Sequence, residues 1–265
     1  MADGFDDFCA DILNRPTWPG ALAPAALAEE FVRHFGLAGF PRFQHLEKVL
    51  HGNGVGEIVP FRLPEGLRGV HGGLRDGRYT IHYLEGDWDG GREHTVLHET
   101  YEILQEKFQE LCPAYLPPSK PVLCRRADRF AAAVLMQPEM FALFAETTGL
   151  DVVSLQRFYR RSYASVALRL AEVMRPQPLL VAIYERQEEG EPATWDEHVT
   201  PERFMVTLAA KTPGFKVSRR GFPLRSFHYP GYLVPRRKDK PVPGSAAFRV
   251  IEEGRAVHVE RVFGY

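Results

Sequence analysis

Apolar residues up to about position 175 recur mostly at helical spacing, and beyond 176 they recur at shorter intervals. Over 24–35, Leu27, Ala28, Phe31 and Val32 fall on one helical face, and Gly36 follows as a C-terminal cap. A second helix is predicted over 43–50, ending in His51-Gly52-Asn53-Gly54. The period then shortens: 56–61, 69–74 and 79–84 read as strands, with Arg75-Asp76-Gly77-Arg78 as a turn. These predict a small antiparallel sheet closed by the loop at 85–91. A long helix is expected over 92–111, stopped by Cys112-Pro113, and a second over 121–136 after a proline-rich loop. Pro138 opens a short helix through 144, and 151–160 and 162–174 complete a helical block. Arg175-Pro176-Gln177-Pro178 reads as a linker, followed by strands at 179–185, 204–210, 247–252 and 256–263. The expected class is α+β: a helical domain over 1–175 with a small antiparallel sheet, then a mostly β domain over 176–265.

Composition adds bounds. The 265 residues carry 33 basic and 34 acidic side chains, a net charge of −1, which taken whole argues against a generic polyanion binder. No apolar run approaches the roughly 18 residues needed to span a bilayer. The opening Met1-Ala2-Asp3-Gly4-Phe5-Asp6-Asp7 is acidic and unlike a secretion signal. A cytoplasmic protein without a membrane partner is expected, in which Cys9, Cys112 and Cys124 form no disulfide framework.

The segment most informative about chemistry is His94-Thr95-Val96-Leu97-His98-Glu99-Thr100-Tyr101-Glu102. Residues four apart share a helix face, so His98 and Glu102 can hold one metal ion. Glu99, one step round, can deprotonate a metal-bound water. This is the logic of the H-E-x-x-H zinc helix with Glu102 in place of the second histidine. The same pattern also fits a solvated acidic face with one histidine. His94 offers an alternative clamp with His98 or a packed histidine. Tyr101 can donate to an oxyanion or pack in the core, and His82 can border the cleft or sit on a sheet face.

Three ordered blocks resemble the ImmA/IrrE family of metallopeptidases. They are Leu63-Pro64-Glu65-Gly66-Leu67-Arg68-Gly69 through Ile81 to Thr95-Val96-Leu97-His98-Glu99, then Ala127-Asp128-Arg129-Phe130-Ala131-Ala132 through Met136-Gln137-Pro138, then Ala167-Leu168-Arg169-Leu170. The resemblance spans about residues 20–175. It implies a zincin-like fold, a Zn2+ cofactor and Glu99 as the base. The substrate it implies is a separate helix-turn-helix repressor, whose cleavage releases stress-response, mobile-element or phage-defence genes. Two positions depart from the family pattern: Glu102 stands where the second histidine is usual, and Cys124 where the downstream glutamate is usual. Both side chains are competent zinc ligands. A set of His98, Glu102 and a Cys124 thiolate carries about −2 instead of about −1, which makes zinc a weaker Lewis acid and implies a slower or conditionally inhibited enzyme. Oxidation of Cys124 would open a coordination position. Cys112 could take its place only if the proline-rich loop folds back, and otherwise packs at the helix end. Cys9 is expected simply to be buried.

Charge is unevenly distributed. Between Lys211 and Lys240 there are nine basic residues and one acid, so the rest of the chain holds 24 basic and 33 acidic residues. Lys216, Arg219, Arg220, Arg225, Arg236, Arg237 and Lys238 interleave with Phe215, Phe222, Phe227, Tyr229 and Tyr232. Basic groups on phosphates with aromatic faces for bases suit single-stranded DNA, as an activating signal. The same residues also suit a solvated basic face with its aromatics turned inward. The rival expectation for the whole chain is a catalytically inactive peptidase fold that binds a repressor or nucleic acid.

Overall fold

The computed structural model describes residues 4–15, 22–175, 177–186, 202–215, 226–229, 246–252 and 255–261. The chain is α+β, as its periodicities predict, and divides into two compact units, 1–140 and 141–265.

The first unit contains α1 (Gly4–Leu13), α2 (Pro24–His34), α3 (Phe43–His51), β1 (Val55–Phe61), β2 (Gly69–Gly73), β3 (Tyr79–Leu84), α4 (Asp89–Leu111) and α5 (Lys120–Leu135). Gly36, at φ +66°, ends α2 as predicted, and the Leu37 N–H closes back on the Val32 carbonyl at 2.9 Å. The long helix α4 runs through the middle, packed by α5, α1, β3 and β2. Its Val96, Leu97, Ile103, Leu104 and Phe108 are fully buried. Phe130 of α5 is buried edge-on to Phe31 of α2 and beside Tyr101 of α4, with ring centroids 5.3 Å away in each case. Truncating such a ring to alanine removes about 3–5 kcal/mol.

The small sheet has the order β1-β3-β2 and corrects the sequence reading. β2 and β3 form the expected antiparallel hairpin, but β1 runs parallel to β3, so the sheet is mixed. Strand periodicity is the same in either direction, and only the path of the chain decides which edge β1 joins. β2 is left at an edge, facing α4.

The second unit contains most of α6 (Pro138–Thr147), then α7 (Val152–Tyr159), α8 (Tyr163–Val173), β4 (Leu179–Arg186), β5 (Glu202–Lys211), β6 (Ser226–Tyr229), β7 (Ala246–Glu252) and β8 (Arg255–Arg261). Asp151 and Ser162 cap α7 and α8, accepting from the Val153 and Ser165 N–H groups. The sheet is antiparallel in the order β6-β5-β4-β8-β7. Leu179 to Ile183 on the central β4 are all buried, which explains their unbroken apolar run. The strand β6 is additional to those read from the sequence. The division by packing falls at 140/141 instead of the linker near 176, because α8 packs on β4 and β5 and α7 packs on α8. No described helix is long and apolar enough to cross a membrane.

Candidate metal centre

Two ladders of residues spaced by four build the site. On α4 they are His94, His98, Glu102 and Glu106; on α5 they are Lys120, Cys124 and Asp128. Four-residue spacing puts each set on one helical face. The contacts between them run in opposite chain order, as antiparallel helices require. His94 Nε2 and His98 Nδ1 lie 3.2 and 2.9 Å from Asp128 Oδ1. Cys124 Sγ and Lys120 Nζ both reach Glu102, with the thiol 3.7 Å from Oε1 and the ammonium 2.9 and 2.6 Å from its two oxygens.

The edge strand β2 forms the third wall. Gly69 lets it approach α4 closely: a Cβ there would collide with Thr95 Cγ2 and sit 2.9 Å from Glu99 Oε1. His71, two residues on and therefore on the same face of the strand, reaches Glu99 Oε2 with Nδ1 at 2.7 Å and Glu106 Oε1 with Nε2 at 3.1 Å. The resulting cleft, about 440 Å³, is lined by these groups except Glu106, together with Gly66, Leu67, Arg68 and Val70.

The metal-ligating residues expected from the sequence converge. Ligand atoms of His98, Glu102 and Cys124 all lie within 4.8 Å of one another, and His98 Nε2 is 3.5 Å from Glu102 Oε1. Glu99, the expected base, lines the same cleft and is almost fully buried, as is Glu102. The donor set suits zinc in chemistry and in arrangement: nitrogen, sulfur and carboxylate converge, and Asp128 holds the far nitrogen of His98, as an outer carboxylate does for a metal-bound imidazole.

The electrostatics are those of a network of ion pairs. Burial works against a charge on His98, but hydrogen bonds to Asp128 and Glu102 outweigh it and hold its pKa up at about 10. His71 behaves alike: burial opposes its charge, yet Glu106 and Glu99 raise it to about 9. Burial pushes Glu102 up, while His98 and Lys120 pull it down further, to about 2. Asp128 is held well below the usual carboxylate range by His94 and His98, against its own burial. A metal ion entering here must displace protons from imidazole and thiol.

Other expected residues fall elsewhere. Cys112 caps the end of α4 and packs partly against the main core, and Cys9 is buried in it. Tyr101 packs; it is buried beside Phe130, which pushes its pKa up to about 12. His82 stacks edge-on with Phe61 at 5.3 Å and does not line the cleft. His94 joins Asp128 and His98 in a second donor group instead of sharing that of Glu102. Lys216, Arg219, Arg220, Arg225, Arg236, Arg237 and Lys238 lie outside the described residues. Phe215, beside them, is buried and unavailable for base stacking.

Sequence reasoning missed His71, Asp128 and Lys120. The four-residue spacing of Lys120, Cys124 and Asp128 was a usable signal, since once Cys124 faces α4 its neighbours one turn away must too. Nothing local marked His71.

No protein-family model matches the sequence, and no curated protein does. Among solved structures, a Mycobacterium tuberculosis transcriptional regulator is similar, with 16% identity and a TM-score of 0.50. The alignment covers 82% of this chain and 62% of that one, so this chain spans less than two thirds of that protein's length. At this identity the likeness speaks to the fold.

Proposed function

We propose that the chain is a zinc-dependent endopeptidase of the ImmA/IrrE type that cleaves a helix-turn-helix repressor and so relieves repression of stress or defence genes. The observation that carries this reading is the convergence of His98, Glu102 and Cys124 within 4.8 Å, beside Glu99, in an open cleft. Zinc held by those three side chains would polarise a scissile carbonyl and make a bound water more acidic. Glu99 takes the water's proton and returns it to the leaving amine. Asp128 fixes the His98 ring so that Nε2 faces the donor set. The edge strand β2, with its unpaired side along the cleft, offers backbone groups to an extended substrate. A role in transcription agrees with the structural neighbour being a transcriptional regulator. Single-stranded DNA and oxidation of Cys124 remain the proposed activating signals.

A specific observation favours a second reading, a peptidase fold used only for binding. Both carboxylates that the chemistry needs are already engaged, Glu102 by Lys120 and Glu99 by His71. One experiment separates the two. The zinc-loaded protein is incubated with the helix-turn-helix repressor encoded nearest its gene, with and without single-stranded DNA and oxidant. Cleavage by wild type and not by Glu99→Gln supports the enzyme. An intact repressor under every condition supports the binding protein.

A further inference from the structure

We propose that His71, Glu99 and Glu102 form a second divalent-cation site, adjacent to that of His98, Glu102 and Cys124, with the Glu102 carboxylate shared between them. The class of ion is one that accepts imidazole and carboxylate together, such as Zn2+ or Co2+.

Three features of the cleft lead there. The first is the donor set: the ligand atoms of His71, Glu99 and Glu102 lie within 4.8 Å of one another, and two of these side chains are almost fully buried. The second is how Glu102 is divided. Its Oε1 faces His98 Nε2 at 3.5 Å and Cys124 Sγ at 3.7 Å, whereas Oε2 faces His71 Nδ1 at 4.0 Å. Each oxygen therefore belongs to a different donor group, which is how a carboxylate bridges two ions. The third is that the two histidines are held in the same manner. Asp128 takes Nδ1 of His98 at 2.9 Å and leaves Nε2 for the centre; Glu106 takes Nε2 of His71 at 3.1 Å and leaves Nδ1 for the centre. An outer carboxylate that fixes the ring and its tautomer is the usual companion of a ligating histidine.

Charge agrees with this arrangement. Glu99, Glu102, Glu106 and Asp128 surround the two rings, and Lys120 is the cation that holds Glu102. The Lys120 side chain is 69% exposed, so it can leave Glu102 for water at small cost when an ion arrives.

The consequence for activity rests on the peptidase reading, although the binding does not. An ion at His71 and Glu99 withdraws the base from its water, so the second cation inhibits the enzyme that the first one activates.

The test is a Co2+ titration of the metal-stripped, reduced protein, followed by visible absorption and the thiolate-to-cobalt charge-transfer band. Wild type is expected to take two equivalents, one of them carrying the thiolate band. In His71→Ala the second equivalent weakens by more than the 10–100-fold typical of losing an outer partner, and the thiolate band stays. In Cys124→Ser the band goes and the His71-dependent equivalent stays. A single wild-type equivalent that carries the thiolate band or is indifferent to His71→Ala, or two undiminished equivalents in His71→Ala, would overturn the site. A His71-dependent equivalent with no thiolate band in wild type would instead remove the metal basis of the peptidase reading and leave this site standing. His71→Asn repeats the measurement if His71→Ala loses its helical circular dichroism.

Discussion

Glu93 and Glu102 lie on the same helix, both nearly inaccessible to solvent, and they do different work. Glu93 points into the frame of the first unit, where its carboxylate accepts the Phe43 N–H at 3.0 Å at the start of α3. Glu102 points into the cleft, where a thiol, an ammonium and an imidazole compete for its two oxygens. Lys107 and Gln105, also buried on α4, resemble Glu93: Lys107 reaches Asp6 on α1 at 3.0 Å, and Gln105 accepts from the Tyr115 hydroxyl. Burial of a polar group therefore does not mark the site. Glu93, Gln105 and Lys107 tie the helix to its neighbours, whereas Glu102 lines an open cleft and shares its oxygens among groups that can exchange partners, the arrangement a binding site needs.

Glu102→Ala separates the two roles most strongly. Zinc affinity is expected to fall by more than about 100-fold, exceeding the loss typical of an outer partner. The stability of the metal-free protein should change by less than about 1 kcal/mol, because the exposed Lys120 returns to water. Chelator competition and urea denaturation measure the two quantities; a large loss of stability would make Glu102 structural. Asp128→Asn should weaken zinc by about 10–100-fold through the orientation of His98, with the thiolate ligand signature unchanged. Glu93→Ala has the converse effect. It leaves the Phe43 N–H short of its acceptor and costs about 1–3 kcal/mol of stability, while zinc affinity stays at the wild-type value.

The smallest effect comes from a surface carboxylate. A hydrogen bond from Arg15 pulls Glu30 down to about 2, with Arg33 adding to it against a modest cost of burial. Its folded pKa is thus below the unfolded one, near 4.5. The contribution is fully present above that unfolded value and is lost as pH falls through about 2. With Arg15 41% and Arg33 69% exposed, it is worth less than about 1 kcal/mol. Glu30→Gln should flatten the acid limb of a stability–pH curve by that small amount, and a larger change would show that the Arg15–Glu30 pair matters more than its exposure implies.

Much of the helical framework was legible because a 3.6-residue period, Gly36, Pro113 and Pro138 punctuate it in sequence. The sheet was less so. Strands at 56–61 and 79–84 are visible as alternation, but a strand's pattern is indifferent to the direction of its neighbour, and the parallel pairing of β1 with β3 followed only from the chain's path. In the second unit β4 was legible as a strand and its central place came only from the sheet order, while the four-residue β6 has too little pattern to stand out.

Spacing alone puts His98 and Glu102 on one face of a helix with Glu99 beside them, since spacing on a helix is local geometry. It also determined the stripe of Lys120, Cys124 and Asp128, although the resemblance to a known family drew notice to Cys124 alone. Long-range packing sets the two stripes against each other in antiparallel order, brings β2 at Gly69 against Glu99, and adds His71 to the cleft. Those contacts join residues 28 or more positions apart or belong to different elements, and they arise from packing apolar faces that carry no label naming their partners.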